Sequence, residues 1–264
     1  MPTYRRAYHS GSWYSDNSNV LKNSIESLFE KINLPKQQVK AAICPHAGYA
    51  YCLETSSHVY SCINVENIKN IFILGPNHHI YNKGCLLPQV DKYETPFGFL
   101  QINKDGNLPL ATCHLPLATY HLPLTTINVY IYMFISDIMN NDTQNLYDYI
   151  DEIDDEEEHS IEMQLPLIKY IIKEKDIKIV PIYVGCIGND VNKINEFSNP
   201  LKKYFQDKTN AFIFSSDFCH FGRRFSFTNI LEKYNDKYIH KKIENMDKDG
   251  INVITKHNVQ GYLN

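Results

Sequence analysis

Asn70-Ile71-Phe72-Ile73-Leu74-Gly75-Pro76-Asn77-His78-His79 is the stretch on which the reading of this chain turns. A short apolar run of strand length ends in Gly75-Pro76, where neither residue continues a ladder, and two histidines follow. The same order of residue types occurs twice more. Val39-Lys40-Ala41-Ala42-Ile43 leads into Cys44-Pro45-His46-Ala47-Gly48-Tyr49, and Asn210-Ala211-Phe212-Ile213-Phe214 leads into Ser215-Ser216-Asp217-Phe218-Cys219-His220-Phe221-Gly222. In an open α/β sheet, ligands bind in the crevice at the carboxyl ends of the strands. Imidazoles delivered there by three strands can converge on one metal ion or one substrate.

Working outward, the spacing of Leu21, Ile25, Leu28, Phe29 and Ile32 predicts a helix capped by Asn17 or Ser18. Further helices are expected at about 53–62, 194–205 and 234–257, and a strand at 177–184. Strands alternating with helical segments imply a sheet covered by helices on both faces. Two regions break the rhythm. Leu108-Pro109-Leu110-Ala111-Thr112-Cys113-His114 is nearly repeated as Leu115-Pro116-Leu117-Ala118-Thr119-Tyr120-His121. Its prolines oppose regular structure and its period is too short for a solenoid. The acidic run Asp151 to Glu158 reads as a solvated surface stretch, or else as an acidic lead-in to a helix beginning near His159, where carboxylates favour the positive end of the dipole.

Composition removes several classes of function. The formal net charge is −4, and no basic stripe is present, so the electrostatic footprint of a nucleic-acid binder is missing. The 7 cysteines are scattered singly with no Cys-x-x-Cys pair, which points to reduced thiols in the cytoplasm. The N-terminus is followed by no apolar signal-peptide core, and the longest apolar stretch, about Ile127 to Ile135, is too short to span a bilayer. No dinucleotide fingerprint, P-loop or Gly-x-Ser-x-Gly elbow occurs.

Each histidine has an ordinary reading and a chemical one. His46 lies in a turn that Pro45 stiffens and Gly48 sharpens; a single histidine at a strand end is more often structural than a ligand. His78 and His79 are adjacent, so in extended chain one faces the crevice while the other packs behind it. Asp217 and His220 are three apart and share a face if the turn is helical. The carboxylate then orients the imidazole as a general base requires, unless Asp217 simply caps the following turn. In Glu158-His159-Ser160-Ile161-Glu162-Met163-Gln164-Leu165-Pro166 no zincin motif is present. Glu158, His159 and Glu162 read as supports behind a site or as a polar helix start, with Pro166 marking a kink or restart.

These segments, together with His9-Ser10-Gly11-Ser12-Trp13-Tyr14, occur in an order that resembles the Memo family, named for a mediator of ErbB-driven cell motility. The resemblance covers most of the chain. It implies one three-layer α/β/α domain with a mixed central sheet, similar in fold to class III extradiol dioxygenases. It implies a metal site of iron or copper with redox activity. By motif match, His46 and His79 are the imidazole ligands, His220 the acid/base group and Asp217 its neighbour. Trp13, His78 and His159 line the vestibule. Two departures stand out. About Gly106 to Ser136 reads as an insertion that the family lacks, expected to loop out of the core. The family's C-terminal segment, with a cysteine in a Cys-Gly-Arg-His-Pro context that supplies a third ligand, has no counterpart here.

The sequence therefore predicts a cytoplasmic, mononuclear metal-binding protein acting on a small molecule or dioxygen, with no nucleic-acid partner and no membrane span. The alternative is a non-enzymatic module that binds phosphotyrosine-containing peptides in the same cleft, using protonated imidazoles and Trp13.

Overall fold

The computed structural model of the chain describes residues 2–103, 134–188, 190–228, 233–234 and 236–257. Its strands are β1 (Tyr4–Arg5), β2 (Ala41–Cys44), β3 (Asn70–Pro76), β4 (Cys85–Leu87), β5 (Lys92–Thr95), β6 (Gly98–Gln101), β7 (Tyr147–Tyr149), β8 (Lys178–Val184) and β9 (Asn210–Ser215). Its helices are α1 (Ser18–Ile32), α2 (Tyr49–Tyr60), α3 (Phe134–Asn141), α4 (Glu152–Glu157), α5 (His159–Glu162), α6 (Leu165–Ile172), α7 (Val191–Ser198), α8 (Lys202–Gln206) and α9 (Ile239–Thr255). Asn17 caps α1 as its position predicts, its side chain accepting from the N–H groups of Asn19 and Val20.

The main sheet has the order β2-β9-β3-β8-β4-β7. The pairs β2–β9, β9–β3 and β3–β8 are parallel, and β4 runs antiparallel to β8. The expected α/β architecture with a mixed sheet is therefore present. Because the first four strands share a direction, Cys44, Ser215, Pro76 and Val184 end on one edge. That edge is where the histidine-bearing loops emerge.

Helices cover both faces. Phe72 on β3 stacks on Phe212 of β9 at 4.6 Å, on Tyr204 of α8, and meets the edge of Phe134 of α3. The residues that alternate with Phe72 point the other way. There Gly75 lies so close to α5 that a Cβ on it would sit 2.7 Å from Ser160 Oγ and 3.0 Å from Ile161 Cγ1. Ser160 Oγ donates to Pro76 O at 2.7 Å, which fastens α5 to the end of β3. A second sheet, β1-β5-β6, was not evident in the sequence pattern. It carries Arg5 into a buried network with Asp155 and Glu162.

The acidic run is not a solvated surface stretch throughout. Asp155, Glu156 and Glu158 are buried, because the Arg5 guanidinium, the Arg6 side chain and the His78 ring supply partners for their carboxylates. The repeat at 108–124 lies outside the described residues, as does most of the segment Gly106 to Ser136. Its last residues are not looped out: Phe134 to Ser136 open α3, with Phe134 and Ile135 each 1% exposed. Among the described residues no helix is long and apolar enough to cross a membrane.

The Gly75 contact yields a direct expectation. Gly75→Ala should cost about 1–3 kcal/mol through overpacking against α5, read as a lowered urea midpoint. An unchanged midpoint would show that α5 moves freely off the strand.

Candidate metal centre

The end of β2 delivers His46 into a web of hydrogen bonds that fixes its ring. Its backbone N–H donates to Asp217 Oδ1 at 2.9 Å, and its Nδ1 lies 3.0 Å from Ser215 Oγ. Ser215 has a single hydroxyl proton, and it is committed to Ser160 O at 2.6 Å. Gln164 Nε2 donates to the same Oγ, while its Oε1 accepts from Tyr60 OH. Ser215 can therefore only accept from His46, so Nδ1 carries the proton and Nε2 presents a lone pair. Burial lowers the pKa of His46, which keeps the ring neutral.

The second ring is His78. Beyond β3, Asn77 Oδ1 accepts from the N–H groups of His79 and Ile80, so the chain turns instead of continuing as strand. His78 is thereby turned onto Glu158. Glu158 Oε2 accepts the His78 backbone N–H at 2.5 Å, and Oε1 lies 3.0 Å from His78 Nδ1 and accepts from Ser160 N–H. Burial alone would raise the Glu158 pKa; the bonds from the His78 ring and from the backbone of His78 and Ser160 outweigh it and hold the group at about 2. A carboxylate so held accepts only, so His78 Nδ1 carries a proton too, and its neutral form exposes a lone pair at Nε2. The hydrogen bond to Glu158 raises the pKa of His78.

His159, the first residue of α5, completes the cluster. Its ring stacks on His78 at 4.6 Å and stands edge-on to His46 at 5.5 Å. One ring nitrogen from each of His46, His78 and His159 lies within 4.8 Å of the others. Burial drives the His159 pKa down to about 4, leaving a neutral donor at physiological pH. Trp13 covers the outer side of His159 at 4.6 Å. Asp217 Oδ2 is 3.7 Å from His46 Nε2 and 3.7 Å from His220 Nε2.

The structure brings together His46, His78, His159, Trp13, Asp217 and His220. His79 is not in the three-histidine group, and its backbone N–H is spent on the Asn77 turn. The group that could hold an ion contains His78 and His159, both of which the motif match put in the vestibule. The chain thus offers three ring nitrogens where the motif match offered two. Glu158 and Ser215, which hold the rings, were visible in the sequence only as neighbours of histidines.

The donor chemistry fits a cation. His46 and His78 are held with Nδ1 protonated and Nε2 bare when neutral, the third ring is neutral, and His46 Nε2 lies 3.7 Å from a carboxylate oxygen of Asp217. Imidazole donors suit iron, copper, zinc and nickel.

The comparisons with known proteins agree with the motif order. A family model described as Memo-like protein matches residues 5–264. The chain is similar to the protein memo-1 homolog of Caenorhabditis elegans, 33% identical over 251 residues, covering 95% of this chain and 62% of the worm protein. It is similar to Protein MEMO1 of Homo sapiens, 32% identical over 252 residues, covering 95% of this chain and 73% of the human protein. The MEMO1 family protein MHO1 of Saccharomyces cerevisiae is 34% identical over 244 residues, covering 88% of this chain and 64% of the yeast protein. The chain belongs to the Memo family.

One consequence concerns pH. His159 falls from an ordinary 6.5 to about 4 on folding, so between those values the unfolded chain binds more protons, and stability declines as pH falls. In the metal-free chain, His159→Gln should lose this component. The stability advantage of wild type over the variant, measured by urea unfolding, should shrink from pH 7 to pH 5. A constant difference would contradict a neutral His159.

Proposed function

We propose that this Memo-family chain holds one iron or copper ion on His46, His78 and His159 and supports redox chemistry on a small molecule or dioxygen in the cytoplasm. The observation that carries the reading is His46 Nε2, unprotonated by the Ser215 bond to Nδ1 and 3.7 Å from Asp217 Oδ2. Two electron-rich atoms so placed are stabilised by a cation near both. Three imidazoles with a neighbouring carboxylate also suit a first-row metal of intermediate softness. When bound, the ion would supply Lewis acidity and one-electron chemistry.

The chain's own residues do the rest. Ser215 and Glu158 hold the ligand tautomers, so that no ring must turn when the ion enters. Trp13 lies against the His159 ring and covers that side of the cluster. Asp217, within reach of His220 Nε2, can orient that ring and stabilise its protonated form, as a group that takes or gives a proton at a bound substrate requires. That role for His220 agrees with the fold likeness to class III extradiol dioxygenases that the sequence resemblance implies.

The phosphotyrosine-peptide reading uses the same cleft and is weakened by its charge. His46 and His159 are pushed toward the neutral form, and only His78 is pushed toward the cation. Glu158 and Asp217 add negative charge where a phosphate would sit. An anion site would need the opposite balance.

Equilibrium dialysis of the full chain against Fe(II) or Cu(I) tests the proposal. One ion per chain is expected. Alanine at His46, His78 or His159 should each weaken binding by more than the roughly 10–100-fold lost when only a supporting partner is removed. His79→Ala should leave affinity unchanged. Loss of binding in His79→Ala but not in His78→Ala would overturn the assignment. Tight binding of a phosphotyrosine peptide to the metal-free chain would favour the other reading.

A further inference from the structure

We infer that Glu162 is a positioning residue of this centre, acting through His9 and Trp13, an inference that rests on the three-histidine reading above. Glu162 closes α5 and is fully buried. Its Oε1 accepts the His9 backbone N–H at 2.8 Å and Tyr14 OH at 2.7 Å. Its Oε2 accepts Arg5 Nη1 at 2.6 Å and lies 3.0 Å from His9 Nδ1. The two oxygens thus take four partners, all from residues 5–14, which exhausts a carboxylate's usual capacity.

That segment has little regular structure of its own. Apart from the two residues of β1, it is a run of turns closed by short-range backbone bonds, among them Ser10 N–H to Ala7 O, Gly11 N–H to Tyr14 O, and Ser12 and Trp13 N–H to His9 O, with Tyr49 N–H donating to Trp13 O at 2.9 Å. Most of these bonds are internal to the segment and shape the turn, while the bonds from His9 and Tyr14 to Glu162 fix it against α5, so the place of the indole beside His159 depends on where His9 is anchored. His9 is anchored on Glu162. Its ring stands edge-on to Trp13 at 5.4 Å and to His159 at 6.0 Å, and Trp13 lies against His159, which stacks on His78. One carboxylate therefore sets the outer wall of the ring stack. A donor ring whose rotamer is locked by packing holds a ligand better than one free to turn.

Asp155 supplies an internal comparison. It is as buried as Glu162 and binds the same guanidinium, through Arg5 Nε at 3.0 Å, but its other partners are Tyr93 and Tyr183. The structure gives it no bond to His9, Tyr14 or Trp13. A merely structural role of buried carboxylates would be shared by both residues; the positioning role belongs to Glu162 alone.

The test uses Trp13, the single tryptophan of the chain, as a reporter, with Co(II) as the probe for its absorption spectrum and affinity. Glu162→Gln is the direct variant. His9→Phe keeps an aromatic ring but removes the ring donor to Glu162 Oε2, and His9→Asn keeps a donor near Nδ1. In His9→Phe, Trp13 emission should shift to the red and Co(II) affinity should fall roughly 10–100-fold. His9→Asn should restore most of both. Asp155→Asn should lower the unfolding midpoint with neither change. Wild-type emission and affinity in His9→Phe, or an equal loss in Asp155→Asn, would overturn the inference. Should wild type bind no metal at all, the three-histidine reading falls, and the Trp13 emission of His9→Phe alone decides whether Glu162 positions the wall.

Discussion

The parallel pairing of β2, β9 and β3 is the constraint from which the rest follows. Three adjacent strands with one direction must end on one edge, and their loops must share the space beyond it. Cys44 and Ser215 are register partners, as are Leu74 and Phe214. His46, Asp217 and His78 therefore emerge within reach of one another although they are far apart in sequence. The fourth element of the site comes from the sheet face. Gly75 lets α5 approach so closely that Ser160 bonds the end of β3, and α5 carries Glu158 and His159 to the same edge.

Proximity alone would leave four titratable side chains crowded together. What gives the group a direction is the set of hydrogen bonds behind it. Ser215 has already spent its proton on Ser160 O, and Glu158 has none to give, so His46 and His78 must donate from Nδ1 and offer Nε2. The same bonds separate the rings electrostatically. Glu158 favours charge on His78, while burial keeps His46 and His159 neutral. Two neutral rings beside a third held by an anion form a group that could hold a metal ion.

Much of this was legible in the sequence, for identifiable reasons. The central strands announced themselves as apolar runs cut off by Gly75-Pro76, by Pro45 and by Ser215-Ser216, since punctuation of that kind is local chemistry. Which of His78 and His79 faces the site was not legible. Strand alternation does not extend past Pro76, and the Asn77 turn, a side-chain bond to its own backbone, decides the matter. His159 read as a helix-start residue because its role depends on how α5 docks, a tertiary fact. The burial of Asp155, Glu156 and Glu158 was hidden for a related reason. Acidic residues in a row look solvated until Arg5 and Arg6, some 150 residues away, are brought beside them. The sheet of β1, β5 and β6 escaped notice because its strands have only two to four residues each, too few to show a period.

The central claim is that hydrogen bonds from behind hold His46 and His78 with Nδ1 protonated and Nε2 free to bind. Long-range proton–nitrogen correlation spectra of the metal-free chain, with its histidine rings labelled with nitrogen-15, measure this directly. They should be recorded at a pH alkaline enough for His78 to be neutral. The account predicts protonated Nδ1 and bare Nε2 for both His46 and His78, with the His46 signature lost in Ser215→Ala and the His78 signature lost in Glu158→Gln. Protonated Nε2 in either ring, or fast exchange between tautomers in the wild-type chain, would contradict it.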